Sequence, residues 1–77
     1  MIETMHEYRG YAFSIRYEPA QPAYSVQFAD IAEIITSGDS LAEAFANACE
    51  ALDLHLESLS KLGRRAPARR HRLVLQA

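Results

Sequence analysis

The chain has 77 residues, a net charge of -2 and a single cysteine. A chain this short buries only about 60% of the surface its unfolded form exposes, so its core is thin, and Cys49 alone cannot form a disulfide within it. Chains of this size usually add disulfides, a metal or a partner subunit, and the last of these sets the expectation of a homo-oligomer, a dimer or higher.

No apolar run approaches the length of a membrane span. The stretch Met1 to Glu7 carries two glutamates and lacks the apolar core of a signal peptide. A lone cysteine suits a reducing compartment. These points predict a cytoplasmic protein with no membrane contact.

Charge is sharply divided. All ten acidic residues lie between Glu3 and Glu57, and over residues 1–60 only Arg9 and Arg16 oppose them, which leaves -8. The last seventeen residues hold Lys61, Arg64, Arg65, Arg69, Arg70 and Arg72 with no acid, or +6. Either the two regions meet different partners, or the tail lies on the acidic body.

In chain order, Tyr11, Phe13, Ile15 and Tyr17 alternate with Ala12, Ser14 and Arg16, the period-2 pattern of a half-buried strand. Glu18 to Pro22 breaks it with two prolines. Tyr24, Val26 and Phe28 resume the alternation, so the pair reads as a hairpin. A turn or bulge around Asp30 to Glu33 leads to a shorter strand over Ile34 to Thr36. Ser40 and Glu43 then have capping-box spacing for a helix start. Leu41, Phe45, Ala48, Leu52, Leu56 and Leu59 form its predicted buried stripe. Glu43, Glu50, Glu57 and Lys61 lie opposite, with Glu57 and Lys61 paired at i,i+4, and Gly63 stops the helix. Residues 64–71 are a basic linker interrupted by Pro67, and Leu73, Val74 and Leu75 make a terminal strand within 72–76. The prediction is a single α+β domain over 1–77 with its core at 8–63. Its order is β-β-β-α-β, an antiparallel sheet with one helix on one face.

Candidate chemical sites are weak. Cys49 and His55 stand about 240° apart around a helix, and no Cys-x-x-Cys or His-x-x-x-His spacing builds a metal site. Glu43, Glu50, Asp53 and Glu57 lie on a solvent-facing side rather than in a cleft, where carboxylates serve solubility. Ser37 to Ser40 has one glycine and no nearby lysine, so capping explains it better than a phosphate cradle. The expectation is no enzyme activity, no cofactor and no metal. Leu54 sits opposite the stripe, among Asn47, Glu50 and Lys61, and is assigned to an oligomer contact together with Leu73, Val74 and Leu75.

Phe28-Ala29-Asp30-Ile31-Ala32-Glu33, then Thr36-Ser37-Gly38-Asp39-Ser40-Leu41, Glu43-Ala44, Asn47-Ala48 and Glu50-Ala51-Leu52 together resemble the HicB family, the antitoxins of HicA–HicB toxin–antitoxin modules. The likeness covers roughly residues 9 to 62. It implies a partial, degenerate ribonuclease-H-like fold without catalytic residues, and a partner: a HicA-type ribonuclease toxin, small and basic, built on a double-stranded-RNA-binding fold. The family's prolines and glycine are replaced here by Ala29, Ala32 and Glu33. A carboxy-terminal DNA-binding module, common in the family, is not expected in a chain ending at Ala77. Charge division and resemblance together assign toxin contact to Glu18, Asp30 and Glu33. The alternative is a solitary HicB-like regulatory protein that binds nucleic acid through Arg64, Arg65, Arg69, Arg70 and Arg72.

Overall fold

The computed structural model describes residues 3–71. Over them the chain forms β1 (Glu3–Tyr8), β2 (Tyr11–Glu18), β3 (Ala23–Phe28), β4 (Ile35–Gly38) and α1 (Leu41–Lys61). The strands make one antiparallel sheet in the order β1-β2-β3-β4. The fold is α+β, but its described order is β-β-β-β-α, not β-β-β-α-β. The terminal strand expected at 72–76 lies outside the described residues.

The strand missing from the sequence reading is β1. Its inward positions, Thr4, His6 and Tyr8, are polar or amphipathic and only half-buried, so they give no apolar alternation. Pairing with β2 fixes them: Thr4 opposes Ile15, His6 opposes Phe13 and Tyr8 opposes Tyr11. The connection is a two-residue turn, Arg9 and Gly10, with φ of 53° and 84°. Two positive φ values suit a type I′ turn, whose twist matches the flanking strands.

One sheet face carries the core. Tyr11, Phe13 and Ile15 from β2 join Val26 and Phe28 from β3, with Ile31 and Ile34 from the following turn. In that turn the Ile34 amide donates to the Ile31 carbonyl at 3.3 Å. The Phe13 and Phe28 rings, opposite one another in the register, stand 4.9 Å apart.

Helix α1 closes this face. The Ser40 hydroxyl accepts from the Glu43 amide at 3.1 Å, and the Glu43 carboxylate accepts from the amide of Asp39, not of Ser40, at 3.0 Å. At the other end the amides of Gly63 and Arg64 donate to the carbonyls of Ser60 and Leu59. That is the Schellman arrangement, with Gly63 at φ 69°.

The buried stripe differs from the one predicted. Ala44, Ala48 and Leu52 are the fully buried helix residues. Leu41 and Phe45 are exposed, and Leu56 and Leu59 are half-buried. The helix is rolled so that its alanines face the sheet, because small side chains permit close approach. Gly38 is the counterpart of those alanines: a Cβ there would collide with the backbone of Glu43 and Ala44. Phe45 is carried to the β1 side, with its ring 5.2 Å from that of His6 and 5.6 Å from that of Phe13. Asn47 is not part of a free outer face, since its side-chain amide donates to the Ser37 carbonyl of β4 at 2.8 Å.

Candidate functional site

The two ends of the sheet carry different chemistry. At the end where β1 turns into β2, the chain beyond α1 folds back onto the body. Tyr11 is 0% exposed. Its hydroxyl donates to the Pro67 carbonyl, and the Arg69 guanidinium stands 4.6 Å over its ring. Arg69 Nε also donates to the Arg9 carbonyl at 3.0 Å.

Just beyond Arg69, at Arg70 and His71, Asp30 takes the tail. Its carboxylate accepts from the amides of Arg70 and His71 at 2.8 and 3.0 Å, and its Oδ1 lies 2.7 Å from His71 Nδ1. The Asp30 side chain is only 5% exposed. The backbone donor of His71, its ring and the Arg70 amide hold this carboxyl below the usual aspartate range against the opposing effect of burial.

Nearby, Asp53 accepts from the Tyr8 hydroxyl at 3.0 Å and pairs with Arg9 at 2.9 Å. The hydrogen bond to Asp53 pushes the Tyr8 phenol up. Burial, with Asp53 adding to it, pushes the Cys49 thiol up, away from a reactive thiolate. Among the described residues no group of three or more His, Cys, Asp or Glu side chains could hold a metal ion. No helix among them is long and apolar enough to cross a membrane.

At the opposite end, where α1 begins, an apolar cleft of about 390 Å³ is lined by Thr4, Ile15, Tyr17, Tyr24 and Leu41. The Tyr17 and Tyr24 rings stand 5.1 Å apart across the β2–β3 pair. Along the β4 flank a shallower groove runs between Glu33, Ile34 and Ile35 on one side and Ala51, Leu54 and His55 on the other. Its rim exposes Ile35 at 91% and Leu54 at 59%.

The three carboxylates assigned to a partner are not one patch. Glu18 pairs with Ala23 at one end of the β2–β3 ladder. Asp30 follows Phe28 at the other end, about 17 Å away by strand rise alone. Glu33 is exposed on the β4 flank with Leu54. Of the tail arginines, Arg64 and Arg65 are exposed and Arg69 and Arg70 lie at the body as described. Arg72, Leu73, Val74 and Leu75 lie outside the described residues.

Sequence reasoning missed the cleft and the exposed Ile35. Leu41 falls on the helical stripe by periodicity, and only the roll of the helix toward its alanines leaves it uncovered. The attachment of the tail had one visible signal, the charge division, which named neither Tyr11 nor the arrangement at Asp30.

A family model described as HicB-like antitoxin of bacterial toxin–antitoxin system matches residues 11–75. No curated protein matches the chain. No solved structure matches it either.

Proposed function

The chain belongs to the HicB-like antitoxin family, and on that premise we propose that it binds and neutralises a small, basic HicA-type ribonuclease toxin in the cytoplasm. The family is one of antitoxins rather than enzymes, so the action is occlusion, not catalysis. The observation that carries the reading is the match over residues 11–75, which takes in β2, β3, β4, α1 and the tail attachment. The -8 charge of residues 1–60 supports it, because an acidic body and a basic toxin attract each other and associate faster. The degenerate ribonuclease-H-like relation and homo-oligomer formation, with Leu54 as a contact, belong to the same reading. The exposure of Leu54 beside Ile35 supports the contact.

The test is co-expression with the small basic protein encoded beside this chain's gene. Growth arrest by that protein alone, relieved by this chain, is the expected result. Arrest that persists despite equal expression would sink the reading. The nucleic-acid alternative is less well supported, because Arg69, Arg70 and His71 engage the chain's own Arg9, Tyr11 and Asp30. Retention on RNA or DNA that weakens steeply with salt would revive it.

A further inference from the structure

We infer that residues 72–76 cross the sheet face that the helix leaves open, in extended form, with Leu73 and Leu75 packed on Ala12, Ser14 and Met5. The occupant of this face is thus the chain's own terminal segment, and the placement holds whether or not a toxin binds.

Strand alternation defines the face. Phe13 and Ile15 belong to the core beneath α1, so Ala12, Ser14 and Arg16 point the other way. In the ladder Met5, Ser14, Gln27 and Ile35 stand side by side there, and one row nearer the β1–β2 turn Glu7 stands opposite Ala12. The Ala29 amide donates to the Ala12 carbonyl at 3.1 Å and continues that second row. Among the described residues no helix or strand packs on this face. Ala12 is nevertheless only 3% exposed. Ser14, equally central in the sheet and flanked by the longer side chains of Met5 and Gln27, is merely half-buried. Neighbouring strands therefore do not account for the burial of Ala12.

The path of the tail does. It leaves α1 on the core side, where the Tyr11 hydroxyl meets the Pro67 carbonyl. It passes the β1–β2 turn so closely that a Cβ on Gly10 would stand 2.7 Å from Arg69 Cδ. Asp30 then holds it at Arg70 and His71. Ala29 alternates with the core residue Phe28 and so faces away from α1, and it shares a hollow of about 410 Å³ with Asp30, Ala68, Arg70 and His71. By His71 the chain has turned the end of the sheet, and the next residues start beside the row of Ala29, Ala12 and Glu7.

Length and sequence suit the rest of the crossing. Five extended residues span about 17 Å, and the way from β3 over β2 to β1 is about 10 Å. Leu73 and Leu75, two positions apart, share one side of an extended segment. Below them lie the small Ala12 and Ser14 and the side chain of Met5, which is 51% exposed over the described fold. Arg72 enters beside the Glu7 carboxylate, so the charges are complementary. Two buried leucines add apolar contact to a core limited by chain length. That use takes them away from the oligomer contact that patterning assigns to Leu73, Val74 and Leu75.

The experiment uses the full chain with Cys49→Ser, so that introduced thiols are the only ones. Ser14→Cys is combined in turn with Leu73→Cys and with Leu75→Cys. Ser37→Cys, on the same face but at the far end of β4, replaces Ser14→Cys in the comparison pairs. A disulfide needs Cα atoms within about 7 Å. Mild oxidation at low protein concentration should therefore cross-link at least one Ser14 pair within a single chain, several-fold faster than either Ser37 pair. A cross-link between two chains would assign the segment to a second copy, and equal rates for both sets, or no cross-link, would place it elsewhere; each of these results overturns the inference. Heat supplies a second reading without new thiols. Leu75→Asp should lower the melting midpoint by about 4–8 °C or more, and Val74→Asp, on the outer side of the segment, by much less. Midpoints equal to the parent's for both variants would also overturn it.

Discussion

Asp30 and His71, 41 positions apart in the chain, meet through a 2.7 Å contact between carboxylate Oδ1 and ring Nδ1, while the same carboxylate accepts from the His71 amide. This places an acid of the negatively charged body against the tail at Arg70 and His71. Among the described residues the tail is attached to the acidic body at one carboxylate, largely through backbone donors, and not through arginine salt bridges.

Replacing Asp30 with asparagine should loosen the tail without disturbing the core. The amide oxygen can still accept from the two backbone amides that share Oδ2, but the charge that strengthens all three contacts is lost. Limited trypsin digestion should then cleave after Arg69 or Arg70 several-fold faster than in the parent, with the body left intact. Equal cleavage rates would show that Tyr11 and Arg69 hold the tail by themselves.

The same contact has a pH signature whose sign follows from its direction. The Asp30 carboxyl titrates below its ordinary range in the folded chain. Its contribution is therefore complete above the unfolded aspartate pKa of about 3.9 and is lost as pH falls through the lower folded value. Tail protection from an acid-active protease such as pepsin should decline only below about pH 4, and Asp30→Asn should remove that dependence. A decline centred well above that range would point to a different group.

Leu52→Ala should cost about 2–5 kcal/mol, since Leu52 is fully buried against the sheet. Phe45→Ala should cost roughly 1–2 kcal/mol, because the ring is 38% exposed and leaves a notch open to water instead of a sealed cavity. Urea midpoints for the two variants check the order. Equal losses would mean that the helix sits with Phe45 further inside.

That ordering marks where the sequence was legible. Alternation read β2 and β3 correctly because Tyr11, Phe13, Ile15, Val26 and Phe28 lie on one buried face and are aliphatic or aromatic. Local chemistry read both ends of α1, where Ser40, Glu43 and Gly63 act within one turn of themselves. Periodicity alone could not locate the helix's roll, since Ala44 and Ala48 carry little hydrophobic signal yet decide which side comes closest to Gly38. β1 escaped because an edge strand needs only half-burial, and Thr4, His6 and Tyr8 supply it without an apolar pattern. The cleft followed from the roll and was hidden for the same reason.

Gly38→Ala tests that close approach directly. The added methyl meets helix backbone, which cannot rotate away as a side chain could. Overpacking of this kind costs about 1–3 kcal/mol or more. Ser40→Ala, two residues on, removes only the cap and should cost about 0.5–2 kcal/mol. Thermal melts of both, with helix content followed by circular dichroism, separate the effects. A Gly38→Ala variant as stable as the parent would show that α1 can lift from β4 without loss.

Ending the chain after Gly63 removes the cover from Tyr11 and the donors from Asp30 together. Tyr11 is 0% exposed, and its hydroxyl depends on the Pro67 carbonyl. Truncation uncovers part of its ring and removes one hydrogen bond, a loss of about 1–3 kcal/mol by apolar area and hydrogen-bond energetics. For a domain this small, each kcal/mol lowers the melting midpoint by about 4–8 °C. Sedimentation of the full and truncated chains shows at the same time whether residues 64–77 assemble copies. Reduced stability with an unchanged association state assigns the tail to the fold alone, and loss of a dimer assigns it to the oligomer. Two folded monomers of equal midpoint would remove both roles, because the contacts at Tyr11 and Asp30 would then contribute nothing that heat can measure.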